Sequence, residues 1–341
     1  MRSDSTFPDR RLSAGIAGVV MLSAGLVAAQ ITPPPAVYKA GTDLVALQVS
    51  VSDGQRRYVT GLQAENFSVF DEGVAQPISV FATSDSPLDL MLLIDASGSM
   101  DVRLTFARHA ATGLVRDLRS GDRAGLILFD TGALIGHPLS DQHDAVIAAI
   151  QRVAPGGATA LYDAVYLALH TLSRARRPED SPRRQALVVL SDGQDNASHI
   201  PFEQVLDAAR TGDVTIFTIM PGLAPADPAA ALVDRALDAR VRFEMRRIAE
   251  DTGGRLFVTT DAGLADVYAQ IGGELRAQYW LGYQASGSRP GFHRVSVRVT
   301  APPGLLARTR SGYNAGRPMA ALGHSSEGTA AAIPHDVRLG R

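Results

Sequence analysis

The run LDLMLLID, residues 88–95, restricts the fold of this chain more than any other feature. Between Asp89 and Asp95 every residue is apolar, with no polar residue at alternate positions. A strand with one face in water alternates apolar and polar residues, whereas a strand covered on both faces is apolar throughout. The run therefore predicts a central strand of a parallel sheet, with helices packed on both sides.

Strands and helices alternate after this run for about 190 residues. Further buried strands are predicted at RAGLILFD, QALVVLSD, VTIFTIMP and RLFVTT, and ALIGHPLS has the features of a short edge strand. Helical spacing is found in VRLTFARHAATGLVRDL, DAVIAAIQRV, TALYDAVYLALHTLSRAR, PFEQVLDAAR, VRFEMRRIAEDTGG and AGLADVYAQIGGELRAQYW. This alternation predicts a doubly wound, Rossmann-like α/β domain with a mostly parallel sheet over residues 86–280.

Shorter strands flank this domain on both sides. Residues 42–85 contain LVALQVSVSD, YVTGL and NFSVFDEGVAQPISVF, and residues 281–316 contain the alternating segment HRVSVRVTAP. A segment of some forty residues is small for an independent β domain. We therefore expect the two segments to pair as a small β-sandwich, with the α/β domain inserted between them.

The N-terminus has the pattern of a secretory signal. Residues 1–29 carry three arginines, then an uncharged stretch rich in Ala, Gly, Val and Leu, and end with small residues. We expect cleavage before Gln30 and export to the periplasm, the cell surface or the medium, with an uncleaved membrane anchor as the alternative. Residues 30–41 are predicted to form a proline-rich linker and residues 317–341 a disordered tail. No membrane span is expected in the mature chain.

Composition excludes several classes of function. The 341 residues include no cysteine, which rules out disulfides, thiolate zinc sites and cysteine nucleophiles. The formal net charge is −2, so no overall basic field attracts nucleic acid, and no nucleic-acid partner is expected. The eight histidines form no set with the spacing of metal ligands.

Five oxygen-bearing side chains follow strands of the predicted sheet. Asp95, Ser97 and Ser99 follow the first strand, Thr159 precedes a helix after paired glycines, and Asp192 ends the fourth strand. In a sheet of the common order 3-2-1-4-5-6, the first and fourth strands are neighbours and ligands bind at their carboxyl ends. The five side chains are therefore expected to meet at this edge.

Such a set suits a hard cation. Oxygen ligands are those that Mg²⁺ prefers, with Mn²⁺ or Ca²⁺ as alternatives. Three of the five groups are neutral hydroxyls. If the two acids hold water rather than the metal, the ion stays electron-poor and an open coordination position favours a carboxylate from a partner. The alternative is local: Ser99 or Asp101 caps the following helix, and Thr159 caps the next. Of two nearby acids, Asp163 is expected to be a structural carboxylate hydrogen-bonded to a loop, and Asp195 to stabilise its turn rather than to bind metal.

The three motifs resemble one family. The segments DASGS, GGATALYD and LSDGQDN are similar to the metal-ion-dependent adhesion site of von Willebrand factor A domains. The resemblance implies that Ser97, Ser99 and Thr159 are direct or near-direct ligands, and that Asp95 and Asp192 act through water. It also implies that an Asp or Glu of a protein or peptide partner completes the coordination.

The flanking segments resemble a narrower group. VSVSDGQRRYVTGLQAENFSVFDEGVAQPISVF and FHRVSVRVTAPPGLLARTRSGY are similar to segments of bacterial von Willebrand factor A-related proteins common in acidobacteria. That resemblance implies no enzymatic activity.

Two other functions stay open at this point. Asp95 after a buried strand is also typical of aspartyl nucleophiles in Mg²⁺-dependent hydrolases and phosphotransferases. Those enzymes place a second acid in the same loop and a lysine elsewhere, but the loop has Ala96 and Ser97, and the one lysine is Lys39. The other alternative is a scaffold whose metal is purely structural. We expect a binding module and no enzyme.

Overall fold

The computed structural model describes residues 43–83, 86–175, 183–192, 194–221, 231–285 and 290–315. The predicted signal peptide, the proline-rich linker and the predicted tail from residue 317 lie outside the described residues. The strands are β1 (Asp43–Ser52), β2 (Phe67–Asp71), β3 (Val74–Gln76), β4 (Ile78–Ala82), β5 (Leu88–Asp95), β6 (Arg123–Phe129), β7 (Ala133–Ser140), β8 (Arg184–Leu190), β9 (Val214–Pro221), β10 (Leu256–Thr259), β11 (Tyr279–Ala285), β12 (Gly291–Val299), β13 (Leu306–Arg308) and β14 (Gly312–Ala315). The helices are α1 (Leu104–Arg116), α2 (His143–Gln151), α3 (Leu161–Arg174), α4 (Phe202–Thr211), α5 (Ala231–Asp251) and α6 (Leu264–Ala277).

A six-stranded sheet of order β10-β9-β8-β5-β6-β7 forms the centre of the α/β domain. Its pairs are parallel except for the edge strand β7, which runs antiparallel to β6. This mostly parallel, doubly wound sheet confirms the predicted fold class. Counted within the domain, the order is 3-2-1-4-5-6, so the first strand, β5, lies beside the fourth, β8.

The apolar run of β5 is explained by two cores. All eight residues of β5 are buried. Leu90, Leu92 and Ile94 belong to the core that contains residues of α1, α2 and α6. Met91 and Leu93 belong to the core on the opposite face, with residues of α3, α4 and α5. Since successive side chains of a strand point to opposite faces, each core requires an apolar residue at every second position.

The flanking strands form two antiparallel four-stranded sheets, of orders β13-β1-β11-β4 and β14-β12-β2-β3. Each sheet combines strands that precede and follow the α/β domain, for example β1 with β11 and β2 with β12. Their facing side chains share one core, which includes Leu47, Val69, Leu281 and Val297. Among the described helices, none has the length and apolar character to span a membrane.

The end of α6 differs from the prediction. The sequence pattern extends this helix to Trp280, but α6 ends at Ala277 and strand β11 begins at Tyr279. Tyr279 is buried, pairs with Val49 of β1 and donates a hydrogen bond from its hydroxyl to the Val59 carbonyl, 3.0 Å away. Packing in the second domain therefore decides where the helix stops, and helical spacing alone does not contain that information.

Glu274 joins α6 to the flanking sheets. Its carboxylate is fully buried and accepts hydrogen bonds from the hydroxyls of Ser50 on β1, at 2.8 Å, and Tyr58, at 2.6 Å. Arg308 of β13 donates to the same carboxylate, and Arg255 lies 3.8 Å from it. The last helix of the α/β domain is thus held by groups from three segments outside it.

Candidate metal centre

Asp95, the last residue of β5, is an anion without exposure to solvent. One carboxylate oxygen accepts a hydrogen bond from the Ser97 backbone N–H at 2.9 Å, and the other from the Ser191 hydroxyl at 2.6 Å. Burial raises the pKa of Asp95 to about 6, against the opposing effect of these hydrogen bonds. The site therefore holds a carboxylate whose charge the surrounding protein compensates only in part.

The two serines of the motif lie side by side next to Asp95. Ser97 is buried and Ser99 is exposed, and their hydroxyl oxygens are 3.0 Å apart. Ser99 lies in a short 3₁₀ helix, Gly98–Arg103, that precedes α1. The capping alternative fails here, because neither this 3₁₀ helix nor α1 has a side-chain hydrogen bond at its N-cap. The Ser97 hydroxyl also hydrogen-bonds Asp95, so the two hydroxyls and this carboxylate lie together, an arrangement that suits ligands of one ion.

Thr159 is brought to the same edge by the loop before α3. Its backbone N–H donates to the Asn196 side-chain oxygen at 2.8 Å, and its carbonyl accepts from the Asn196 N–H at 3.0 Å. Asn196 follows β8, so these bonds fix the second motif to the third. The expectation that Thr159 also caps α3 is wrong, since the N-cap is Ala160 and has no side-chain capping bond.

Backbone hydrogen bonds fix the first motif to the second. The Gly156 N–H donates to the Ala96 carbonyl at 2.7 Å, and the Gly98 N–H donates to the Gly157 carbonyl at 3.3 Å. Together with the contacts of Asn196, they join three loops that are distant in sequence. The edge is therefore assembled by main-chain hydrogen bonds together with the side chain of Asn196.

Asp192 supplies the second carboxylate. It follows β8, is half-buried, and accepts a hydrogen bond from the Gln194 N–H at 3.4 Å. Its negative charge is among the causes that raise the pKa of Asp95, after burial. Two carboxylates that repel each other at one edge are an arrangement that a cation stabilises.

The donor set fits a hard divalent ion. Among the described ion pairs, none involves Asp95 or Asp192, so no side-chain cation in that part of the chain compensates their charges. Two carboxylates and three hydroxyls are oxygen ligands of the kind that Mg²⁺ and Ca²⁺ take. Within the described ranges, no cluster of three Asp, Glu or His side chains has the arrangement of a metal site. The candidate centre is thus rich in hydroxyls, and the role of its five residues as ligands stays a prediction.

Sequence reasoning missed two residues that shape the centre. Ser191 donates to Asp95, and Asn196 holds Thr159. Both hydrogen bonds join residues that are distant in sequence, so no local pattern predicts them. The one available signal was that Ser191 and Asn196 lie in LSDGQDN, the segment that also contains Asp192.

Asp163 hydrogen-bonds a loop, as expected, and Asp195 forms a hydrogen bond within its own turn. Asp163 accepts hydrogen bonds from the backbone N–H groups of His199 and Ile200. Asp195 accepts from the Tyr162 N–H and from the Ser198 hydroxyl. Both carboxylates thus hold the loop after β8 against the start of α3.

Gly157 should tolerate no side chain, whereas its neighbour Gly156 should. Gly157 has φ +77°, and a Cβ there would lie 2.7 Å from the Thr131 hydroxyl oxygen and 3.1 Å from the Thr131 backbone nitrogen. A Cβ on Gly156 meets no atom within 4 Å. We expect Gly157→Ala to lower the free energy of unfolding by about 2 kcal/mol or more, from left-handed strain plus steric overlap. Gly156→Ala is the matched control and should change it by less than about 0.5 kcal/mol. Denaturant titration measures both, and equal effects would contradict the assignment.

Comparisons with known proteins agree with this architecture. The family model for the von Willebrand factor type A domain matches residues 89–270. A UPF0353 protein of Mycolicibacterium paratuberculosis is 31% identical over 191 residues, covering 51% of this chain and 56% of that protein. An uncharacterized protein of Synechocystis sp. is 33% identical over 125 residues, covering 34% of this chain and 29% of that protein. The chain thus spans little more than half of one curated relative and less than a third of the other.

A solved structure described as von Willebrand factor type A from Catenulispora acidiphila aligns with 81% of this chain and 75% of its own. The TM-score is 0.46 and the sequence identity 13%.

Proposed function

The chain belongs to the von Willebrand factor type A domain family, and we propose that it is an exported protein-binding module that depends on a divalent metal ion. The binding surface is the edge of the sheet at β5 and β8, in the manner of a metal-ion-dependent adhesion site. The ligand is a protein or peptide that presents an Asp or Glu side chain. The proposed cation is Mg²⁺, with Mn²⁺ or Ca²⁺ as alternatives.

One observation carries the proposal: Asp95 is a buried carboxylate that forms no ion pair among the described residues, and it lies next to the paired hydroxyls of Ser97 and Ser99 at the carboxyl edge of the sheet. Burying a charge without a counter-charge is unfavourable, so such a site persists where a bound ion repays it. When bound, the ion supplies positive charge and an open coordination position that a partner's carboxylate can fill.

The residues of the chain have separable tasks in this proposal. The neutral oxygens that would hold the ion belong to Ser97, Ser99 and Thr159. The negative charges that would balance it belong to Asp95 and Asp192. Ser191 keeps Asp95 in place through its hydroxyl hydrogen bond. Because the hydroxyls donate no negative charge, the ion retains its attraction for a further carboxylate.

Binding is favoured over catalysis by the surroundings of Asp95. Both of its oxygens accept hydrogen bonds, from Ser97 and Ser191, and it has no solvent exposure. A nucleophilic carboxylate requires an oxygen that a substrate can reach. We therefore propose a non-enzymatic module, and a hydrolase or phosphotransferase would have to show metal-dependent turnover that Asp95→Asn abolishes.

Export and the narrower relationship belong to the proposal as well. The signal-like residues 1–29 support a periplasmic, cell-surface or secreted location, with no nucleic-acid partner and no membrane span in the mature chain. The flanking motifs support a place among bacterial von Willebrand factor A-related proteins of the type common in acidobacteria.

Affinity capture from envelope fractions tests the proposal. The wild-type chain should retain a partner in Mg²⁺ and release it in EDTA, and Asp95→Asn should retain none. A wild-type chain that Mg²⁺ stabilises, but that retains the same proteins with and without chelator, would instead support a scaffold with a structural metal. Metal dependence of retention is the deciding measurement, because nonspecific binding does not follow the chelator.

A further inference from the structure

Two exposed apolar side chains extend the surface of the candidate metal centre along the start of α1. Val102 is 75% exposed and Phe106 is 46% exposed. Val102 follows Ser99 by three positions within one 3₁₀ helix, where side chains three apart lie above one another. Phe106 follows Val102 by four positions across the junction from this 3₁₀ helix to α1, about one turn further along the chain. We call Val102 and Phe106 the apolar ledge. Together with Ser99, they form one stripe.

The apolar ledge has no part in the packing of its own helix. The buried face of α1 is made by other residues, namely Leu104, Ala107, Ala110, Ala111, Thr112, Leu114 and Val115. A single exposed apolar residue needs no explanation, but a contiguous pair beside a binding site is typical of a contact surface. The ledge is therefore available to a ligand that already touches Ser99.

Charges around the centre restrict that ligand further. Asp101 is exposed and Asp192 and Asp130 are half-exposed at this edge. The nearby Arg103 is engaged, since it lies 3.4 Å from Asp261 and donates to the Ser99 carbonyl. A second acid next to the partner's carboxylate would be repelled by these negative charges, whereas an apolar side chain could pack on the ledge.

The spacing along the stripe matches an extended peptide. A 3₁₀ helix rises about 2.0 Å per residue, so Val102 lies about 6 Å beyond Ser99 along the axis. An α-helix rises about 1.5 Å per residue, which adds about 6 Å to Phe106. A strand advances about 3.3 Å per residue and points alternate side chains to one face. Side chains two and four positions from an acid on the ion would therefore fall over Val102 and Phe106.

We propose that the partner segment is extended and uncharged beside its acid, and that it carries large aliphatic or aromatic side chains two and four residues from that acid, on one side. This inference rests on the proposed function, because it requires the acid to be held at the metal centre. The ledge then decides which acidic segments bind, while the ion provides the common anchor.

Selection from a peptide library tests this pairing. Random peptides with one fixed central Asp are bound to the full chain in Mg²⁺ and eluted with EDTA. The eluted peptides should be enriched in Leu, Ile, Met or Phe at the second and fourth positions on one side of Asp. For a selected peptide, Ser at these two positions should raise Kd about tenfold or more.

A matched set of variants assigns the preference to the ledge. The double variant Val102→Ser with Phe106→Ser should lose the apolar preference and keep elution by EDTA. Phe243→Ser, on α5 at the opposite face of the sheet and 55% exposed, should behave as wild type. Peptides eluted by EDTA without an apolar preference, or a preference that survives in the double variant, would overturn this inference alone. If no peptide is eluted by EDTA, the proposed function fails with it.

Discussion

Millimolar Mg²⁺ or Mn²⁺ should raise the melting temperature of the chain relative to EDTA. An ion that binds only the folded state stabilises it by about 2.7 kcal/mol at a hundred times Kd. For a domain of this size, that corresponds to roughly 5–10 °C. Differential scanning fluorimetry in matched buffers measures the shift, and NaCl of equal ionic strength controls for screening of surface charge.

Asp95→Asn should abolish this response without loss of the fold. Burial raises the pKa of Asp95, and a carboxyl whose pKa is higher in the folded chain disfavours folding at pH values above it. Removing the charge thus removes an unfavourable contribution to the metal-free fold, and the amide oxygen can still accept the Ser97 N–H. We expect a melting temperature in EDTA at or above that of wild type, and none of the rise in Mg²⁺.

Asp101→Asn is the matched control for charge. Asp101 is exposed on the short 3₁₀ helix that follows Asp95, and it is not a predicted ligand. It should keep most of the response to Mg²⁺. If both variants lost the rise in melting temperature equally, the stabilisation by Mg²⁺ would come from the general negative charge of this edge and not from a specific site. A wild-type curve that no divalent cation moves would count against the metal centre itself.

The position of the candidate centre could be predicted because parallel topology is strongly encoded. The fully apolar β5 and β8 must lie in the covered middle of the sheet, and their carboxyl ends must then be neighbours. That placed Asp95 and Asp192 at one edge although 97 positions separate them. Local pattern and sheet topology agree here, so the sequence was sufficient.

The details of the edge depend on contacts that have no local signature. The helix was expected to begin at Val102, but α1 begins at Leu104 and Gly98–Arg103 form a 3₁₀ helix, because apolar spacing does not distinguish three from 3.6 residues per turn over so short a segment. The hydrogen bond from Ser191 to Asp95 joins residues 96 positions apart. Within this 3₁₀ segment Val102 follows Ser99 by one turn, which is the spacing on which the proposed apolar ledge rests.

The junction at Glu274 should be the most sensitive point outside the three hydrophobic cores. Glu274 is fully buried, and Glu274→Ala would leave the hydroxyls of Ser50 and Tyr58 without their acceptor and the half-buried Arg308 without its partner. Removing one partner of a buried ion pair lowers the free energy of unfolding by about 3–5 kcal/mol. We expect the free energy of unfolding to fall by about that amount in denaturant titration.

Glu250→Ala is the matched control for this variant, because Glu250 is an exposed acid near the end of α5, and it should change stability by less than about 0.5 kcal/mol. The response to Mg²⁺ separates the two parts of the molecule. Glu274 lies near the end of α6, whereas the metal centre is assembled by the loops after β5 and β8 and the loop before α3. Glu274→Ala should therefore lower the melting temperature in EDTA and in Mg²⁺ equally. If Mg²⁺ no longer raised the melting temperature of Glu274→Ala, the flanking sheets would instead hold the metal centre in its binding conformation through α6.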